Sequence, residues 1–266
     1  MKKINLLALA LGLCSLCGAG RVAAEVKTET ITYKVGDKTH KGLIAYDDAS
    51  KEKRPGILVV HEFFGLDDYA RGRAKQLAGL GYVAFAVDMY GDGKLAAHPK
   101  EASGMAKELR DNGELWLARG EAGLKILRDH PLVDGDKLAS IGYCFGGSTS
   151  LKLAHSGSKL AAVVSFHGGL PVPTEEEAKN IKAKVLICHG AADKFIKEDT
   201  IQQVRAAYEK AGVDYEMIYL GGAVHSFTVP EAGKANMPGV AYQAAADRRS
   251  WAAMREFFDE AFGKKK

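Results

Sequence analysis

The chain has 266 residues, of which 47% are hydrophobic and 26% charged, and its formal net charge is +4 at pH 7. This small net charge does not indicate electrostatic binding to nucleic acid or to a membrane surface. The length suits one large domain that buries a substantial core without disulfide or metal staples.

Residues 1–24 have the three parts of a secretory signal peptide. Lys2 and Lys3 form a positive n-region, residues 4–16 are an apolar run, and residues 22–24 are a small-residue cleavage site. We therefore expect a secreted protein of the bacterial periplasm, with no membrane association after cleavage. The alternative is an uncleaved membrane anchor, but the apolar run is short for a bilayer span.

Residues 25–266 are expected to form a single domain with almost no net charge, because the signal removes three basic residues and no acidic one. Two of the four cysteines remain, and in an oxidising compartment such a pair suggests a disulfide. Their contexts argue against it. Cys188 ends an apolar run and is expected in the core, whereas Cys144 lies in a glycine-rich segment.

Short apolar runs alternate with helical patterns along the chain. Strands are predicted at residues 28–35, 40–46, 56–60, 82–87, 138–143, 160–166, 184–188 and 215–220. Helices are predicted at residues 70–80, 99–128 with a break near Gly113, a stretch ending at His155, 197–211 and 242–262. This order predicts an α/β fold with a mostly parallel central sheet, an antiparallel N-terminal hairpin and helices on both faces. Such sheets bind ligands at the carboxyl ends of their strands.

The sharpest functional motif is Gly-Tyr-Cys-Phe-Gly-Gly at residues 142–147, between a predicted strand and a predicted helix. This is the nucleophile-elbow arrangement with cysteine in place of serine. The turn is tight, so its glycines leave room where a Cβ would crowd the chain. The start of the following helix favours a thiolate at Cys144, and the Phe145 amide can donate to an oxyanion. The alternative is a buried cysteine in a glycine-rich turn.

Two partners follow in the order that an α/β-hydrolase requires, which is nucleophile, acid and histidine. Asp193 comes after the predicted strand at residues 184–188, and His225 comes after the strand at residues 215–220. Order and strand-end placement both favour a catalytic triad with Cys144. We therefore predict hydrolysis of a small-molecule ester or lactone through a thioester, with neither a cofactor nor a metal.

Together these motifs resemble the dienelactone hydrolase family of α/β-hydrolases, over nearly all of residues 28–262. The resemblance lies in residues 142–147, 189–193 and 225–227, and in an acidic residue after the first parallel strand, Glu62. It implies an α/β-hydrolase fold and a carboxylic ester hydrolase.

The resemblance also implies roles for two further residues. In similar enzymes the carboxylate at the position of Glu62 contacts a resting, protonated cysteine, and it turns on substrate binding to take the thiol proton. The same segment supplies a second oxyanion amide, which is here that of Phe63. A thiol that stays protonated until the substrate arrives is also less readily oxidised.

The chain departs from the family where a substrate carboxylate would be held. Family members that act on dienelactone use two arginines, and Asp92 and Val229 occupy those places here. An aspartate in place of an arginine reverses the local field, so a small anionic lactone is expected to bind poorly. Lys94, His98 and Arg71 are possible replacements, although each is more typical of a solvated position.

Other side chains receive more general predictions. The predicted substrate-binding residues are Tyr90, Phe64, His167 and Phe227. Among the other histidines, His61 is expected to line the cleft, His189 to make structural hydrogen bonds, and His130 and His155 to lie at the surface. Trp116 and Trp251 are expected in the core.

Two alternative functions stay open at this point. One is a secreted binding protein that keeps a hydrolase scaffold, and the other is a related acyl-transfer enzyme on the same fold.

Overall fold

The computed structural model describes residues 25–263, so the predicted signal peptide at residues 1–24 lies outside the described residues. The strands are β1 (Val26–Val35), β2 (Lys38–Asp47), β3 (Arg54–Val60), β4 (Val83–Val87), β5 (Val133–Tyr143), β6 (Ala162–Phe166), β7 (Lys184–Gly190) and β8 (Tyr215–Leu220). They form one sheet in the order β1-β2-β4-β3-β5-β6-β7-β8. β1 and β2 form an antiparallel hairpin, β2 is antiparallel to β4, and the other neighbours are parallel. The predicted sheet and its N-terminal hairpin are confirmed.

Helices cover both faces of this sheet, as predicted. They are α1 (Asp68–Gly79), α2 (Pro99–Asp111), α3 (Gly113–Asp129), α4 (Phe145–His155), α5 (Glu175–Asn180), α6 (Glu198–Ala211) and α7 (Ala244–Ala261). In β3, Leu58 and Val60 join the core under α3, α4 and α6, whereas Ile57 and Val59 join the core under α1 and α7. Two buried faces explain why the central strands β3, β4 and β6 are apolar along most of their length. None of the helices in the described part of the chain is long and apolar enough to cross a membrane.

Capping side chains explain one predicted boundary and one element that was not predicted. The side chain of Asn112 accepts from the amide of Leu115, so a new helix begins where the break near Gly113 was expected. Helix α5 was not predicted, although Thr174 and Glu177 form a capping box at its start. The spacing of these two residues in the sequence could have indicated the start of a helix. A short 3₁₀ helix at Ala232–Ala235 was also not predicted.

The prediction that His155 and His130 lie at the surface is wrong for His155. His155 is fully buried at the end of α4, and its Nε2 lies 2.8 Å from the hydroxyl of Tyr208. His130 is half-buried and packs against the ring of Tyr46. Trp116 is buried as predicted, and its indole N–H donates to Thr149.

Candidate active site

The segment predicted to be a nucleophile elbow, residues 142–147, lies between the end of β5 and the start of α4. Cys144 has φ 52° and ψ −111°, a left-handed conformation that few non-glycine residues adopt. A Cβ on Gly142 would lie 1.9 Å from the carbonyl oxygen of Gly146, and one on Gly146 would lie 2.2 Å from that of Val60. Both glycines are therefore required by close backbone approach. The turn leaves the side chain of Cys144 half-exposed at the carboxyl edge of the sheet.

His167 supports this turn from behind. The amide of Cys144 donates to the carbonyl of Phe166 at 3.1 Å and to Nδ1 of His167 at 3.2 Å. Because Nδ1 accepts, Nε2 carries the proton and donates to Oγ1 of Thr228 at 2.7 Å. Burial, reinforced by the charge of His225, holds the pKa of His167 well below its usual range. The imidazole is therefore neutral, as an acceptor at Nδ1 requires.

The structure brings Cys144, His225 and Asp193 together. Nδ1 of His225 donates to Oδ2 of Asp193 at 2.7 Å, and Oδ1 of Asp193 accepts from the amide of Phe195 at 2.9 Å. Burial alone would lower the pKa of His225, but the Cys144 charge and the hydrogen bonds with Asp193 and Cys144 raise it above its usual range. Burial would likewise raise the pKa of Asp193, but the hydrogen bond and charge of His225 hold it below its usual range. The arrangement places an imidazole of raised pKa, oriented by Asp193, against Cys144.

Glu62 lies in the loop after β3 and is buried beside this pair. Its Oε1 accepts from the hydroxyl of Ser226 at 2.8 Å and lies 3.7 Å from Nδ1 of His167. Burial raises the pKa of Glu62 to about 7, against the opposing hydrogen bond from Ser226 and the charge of His225. The carboxyl group therefore changes its protonation state near neutral pH.

The amides expected to hold an oxyanion are those of Phe63 and Phe145. Phe145 is the first residue of α4, so its N–H has no helical acceptor. Within residues 25–263, the N–H of Phe63 has no hydrogen-bond acceptor. The hydroxyl of Tyr90 donates to the carbonyl of Phe63 at 3.0 Å, and His61 bridges the carbonyl of Glu62 and the amide of Met89. These contacts fix the carbonyls of the loop and, with them, the direction of the Phe63 amide.

A cavity of about 330 Å³ opens above Cys144. Its lining residues are Glu62, Phe63, Phe64, Asp67, Cys144, Phe195, His225, Ser226, Val229, Glu231, Ala232, Met237 and Val240. The wall is mostly apolar, and its charged residues other than His225 are carboxylates.

Of the four predicted substrate-binding residues, only Phe64 lines this cavity. Tyr90, His167 and Phe227 are buried behind the site, at 3%, 0% and 0% exposure. Tyr90 and His167 hold the backbone of the site, and the ring of Phe227 packs edge-on against His167. The prediction that His61 lines the cleft is also wrong, because His61 is fully buried.

The positions at which the family has arginines differ in their placement. Val229 lines the cavity, but Asp92 is exposed and does not, so the expected reversal of the field does not come from Asp92. The three possible replacements are directed elsewhere. Lys94 pairs with Glu101, His98 caps the start of α2, and Arg71 lines a neighbouring groove and donates to the carbonyl of Leu66.

The lining residues that were not predicted from the sequence include Asp67, Phe195, Glu231, Met237 and Val240. Asp67 lies in the same loop as Glu62, and Phe195 in the same loop as Asp193. Their closeness in sequence to these predicted site residues could have indicated that they line the cavity. The other three follow His225 in a segment without a predicted element. The His225 amide donates to the carbonyl of Gly239, which brings this segment to the cavity. No cluster of three or more potential metal ligands occurs among the described residues.

Comparison with known proteins places this site in a family. The sequence matches the model of the Dienelactone hydrolase family over residues 41–262. A solved dienelactone hydrolase-like promiscuous phosphotriesterase from metagenomic libraries is 40% identical, with a TM-score of 0.86, and 89% of this chain aligns with 98% of that one. A solved protein named m3DLH is 42% identical, with the same TM-score and coverage. A Salmonella typhimurium protein named "Putative carboxymethylenebutenolidase" is 27% identical over 237 residues, which are 82% of this chain and 81% of that protein. This chain belongs to the dienelactone hydrolase family of α/β-hydrolases.

Proposed function

We propose that this protein hydrolyses a carboxylic ester or lactone through a thioester on Cys144. The observation that carries the proposal is the chain of contacts from Cys144 to His225 to Asp193 at the base of an apolar cavity. A cysteine at an elbow, paired with an oriented imidazole, is an activated nucleophile. The name of the Salmonella typhimurium relative, which denotes a butenolide-cleaving enzyme, agrees with this chemistry.

The geometry supports a two-step reaction. The Cys144 thiolate adds to the ester carbonyl, and the Phe63 and Phe145 amides hold the oxyanion, each worth about 10²–10³ in rate. The carbon–oxygen bond then breaks, and the leaving alcohol takes a proton from His225. In the second step His225 takes a proton from water, and the resulting hydroxide adds to the thioester. The carbon–sulfur bond breaks, which releases the acid and restores the thiolate.

We assign the initial removal of the thiol proton to Glu62, as the family resemblance implies. A carboxyl group with a pKa of about 7 can take a proton at neutral pH and return it without a large cost in either state. Glu62 lines the cavity together with Cys144, and its contact with Ser226 holds the carboxylate while the thiolate faces His225.

Phosphotriester hydrolysis is a second candidate activity, suggested by the name of the 40% identical phosphotriesterase. The observation that favours it is the apolar cavity without a lysine or arginine in its described lining, since a phosphotriester is uncharged. Release of 4-nitrophenol from diethyl 4-nitrophenyl phosphate tests this activity. No release above that of Cys144→Ala would exclude it.

The decisive experiment measures turnover of 4-nitrophenyl acetate. Cys144→Ala is expected to abolish turnover, and His225→Ala is expected to accumulate an acetyl thioester that intact-protein mass spectrometry detects on Cys144. The matched control is Cys188→Ala, because Cys188 is fully buried in the core and away from the cavity. The proposal fails if the wild type turns over neither this ester nor a simple lactone, or if Cys144→Ala keeps its activity.

The same substrate separates the alternative functions. A binding protein on a hydrolase scaffold would retain ligand without turnover or a covalent adduct. An acyl-transfer enzyme would form the thioester and pass it to an added alcohol in preference to water. If the ratio of free acid to new ester follows the ratio of water to added alcohol, the result supports hydrolysis.

We also propose that the protein is exported, on the basis of the charge and hydropathy pattern of residues 1–24. Expression of the full chain in a Gram-negative host should yield a periplasmic protein whose mass corresponds to a start at Glu25. A full-length mass in the membrane fraction would indicate an uncleaved anchor.

A further inference from the structure

We infer that the cavity above Cys144 selects uncharged and positively charged esters and discriminates against anionic ones, and that Asp67 and Glu231 set this preference. The inference rests on the proposed ester hydrolysis and names its substrate class. This charge preference is the opposite of the preference expected of a cavity that binds a small anionic lactone.

The charges on the cavity wall carry the first part of the argument. Asp67 lines the cavity, and its carboxylate also accepts from the amide of Ala70 as the N-cap of α1. Glu231 lines both this cavity and the adjoining groove. Glu62 adds a third carboxyl group at the base. None of the cavity-lining residues in the described part of the chain is a lysine or an arginine.

The lysines and arginines near these carboxylates do not line the cavity itself, although Arg71 lines the adjoining groove together with Asp67 and Glu231. Lys234 pairs with Glu231, but its side chain is 79% exposed and does not line the cavity, so solvent screens the pair. Arg73 lies behind the site, where it pairs with Asp247 and stacks 4.9 Å from the centre of the Trp251 ring. Apart from His225 beside Cys144, a substrate carboxylate would therefore find no cationic side chain among the described lining residues.

The aromatic side chains of the wall carry the second part. Phe63 and Phe64 lie with ring centres 4.5 Å apart, and Phe195 packs edge-on against the ring of His225 at 5.2 Å. Phe195 is also 54% exposed, so its ring is accessible to an entering substrate. Aromatic faces attract cations and uncharged apolar groups, and they offer no hydrogen-bond donor to an anion. Aromatic rings and carboxylates thus favour the same substrates.

Asp67 and Glu231 add a negative potential along one mostly apolar wall, and solvent weakens the contribution of Glu231, whose side chain is 63% exposed. At separations of several ångströms, such a field changes the concentration of a charged group in the cavity by about tenfold or more. We therefore expect charge discrimination to appear in kcat/KM and to weaken as the ionic strength rises.

The test uses three 4-nitrophenyl esters with chains of similar length: hexanoate, the adipate monoester and 6-aminohexanoate. The wild type is expected to hydrolyse the hexanoate and the aminohexanoate with similar kcat/KM and the adipate at least about tenfold less efficiently. Glu231→Gln and Asp67→Asn should each raise the adipate-to-hexanoate ratio of kcat/KM, because each removes one negative charge from the cavity wall. The asparagine variant should still fold, since asparagine can also cap α1. The matched control is Glu176→Gln, which removes an exposed carboxylate that does not line the cavity and should leave the ratio unchanged.

The outcomes separate this inference from the proposed function. If the wild type hydrolyses none of the three esters, the proposed function fails. If the adipate is hydrolysed as well as the hexanoate or better, ester hydrolysis stands and the charge selection is wrong. If the adipate is disfavoured but neither variant changes the ratio, Asp67 and Glu231 do not set the preference and the inference is overturned.

Discussion

The hydroxyl of Ser226 donates a 2.8 Å hydrogen bond to the carboxyl group of Glu62, across 164 positions of the chain. Ser226 directly follows His225, and its left-handed backbone, with φ 55°, directs its side chain inward. The loop that carries the imidazole thereby also holds the carboxyl group beside the nucleophile. The protonation state of Glu62 and the position of His225 are coupled through this bond.

Glu62→Gln should remove an ionisation from the pH dependence of kcat/KM. If Glu62 takes the thiol proton, it acts in its ionised form, so wild-type activity should rise with pH through about 7. The glutamine variant keeps the acceptor for Ser226 but cannot take a proton. Its activity should be lower at pH 8 and should lack the acid limb near pH 7 in a stopped-flow assay with 4-nitrophenyl acetate. A variant with the wild-type profile would assign that limb to another group.

The same substitution should stabilise the fold at alkaline pH. The folded-state pKa of Glu62 is raised from 4.5 to about 7, so the native state binds the proton more tightly than the unfolded state does. Ionisation of Glu62 therefore lowers stability as the pH rises from about 4.5 to 7, by up to about 3 kcal/mol. Glu62→Gln should raise the free energy of urea unfolding by that order at pH 8 and by little at pH 4.5. An equal gain at both pH values would point to packing instead of ionisation.

Ser226→Ala should shift the acid limb of the pH profile upward. The hydrogen bond from Ser226 lowers the pKa of Glu62, and without it burial acts with less opposition. The limb near pH 7 should therefore move to higher pH. The loss of activity relative to the wild type should be smaller well above the limb than at pH 7. The pH dependence of kcat/KM measures the shift, and a downward shift would contradict the assigned direction of the bond.

Tyr90→Phe should lower kcat more than it raises KM. The hydroxyl of Tyr90 holds the carbonyl of Phe63, and a freed loop would aim the Phe63 amide less well at the oxyanion. We expect a fall in kcat of about tenfold, which is part of the 10²–10³ attributed to a whole donor. Tyr33→Phe is the matched control, since its hydroxyl also donates to a backbone carbonyl, that of Asp88. Equal losses in both variants would indicate a general loss of packing.

Strand-end placement explains how much of the site could be predicted from the sequence. The carboxyl ends of parallel strands meet at one edge, so the residues after β3, β5, β7 and β8 had to lie near each other. This rule selected Asp193 and His225 as partners of Cys144, which the elbow motif had indicated, whereas Glu62 came from the family resemblance. The fold followed from the same alternation of apolar runs with helical patterns.

The direction of individual side chains could not be predicted in the same way. His167 follows β6 as expected, but its backbone has φ 41°, and its ring turns inward beneath Cys144 instead of into the cavity. A left-handed histidine or serine carries no sequence signal comparable to that of glycine. Glu231 and Met237 lie in a segment without periodicity, and only its hydrogen bonds beside His225 bring it to the cavity.

Asp193→Asn should be the most damaging of the conservative changes to the site. Asp193 accepts from Nδ1 of His225 at 2.7 Å, which leaves Nε2 free to exchange a proton with Cys144 and with water. An asparagine amide in that place can donate to Nδ1, and the proton then moves to Nε2, where the ring can no longer act as a base. We expect kcat to fall by about 10²–10⁴, as for wrong-tautomer variants of other triads.

The control for that experiment is Asp199→Asn, which changes an exposed aspartate in the first turn of α6. Iodoacetamide labelling of Cys144 provides a second readout, because loss of the imidazolium removes the charge that stabilises the thiolate. Asp193→Asn should therefore label more slowly at neutral pH as well as turn over more slowly. If turnover falls while labelling is unchanged, Asp193 acts on the hydrolysis of the thioester alone. If neither changes, the hydrogen bond with His225 does not orient the base.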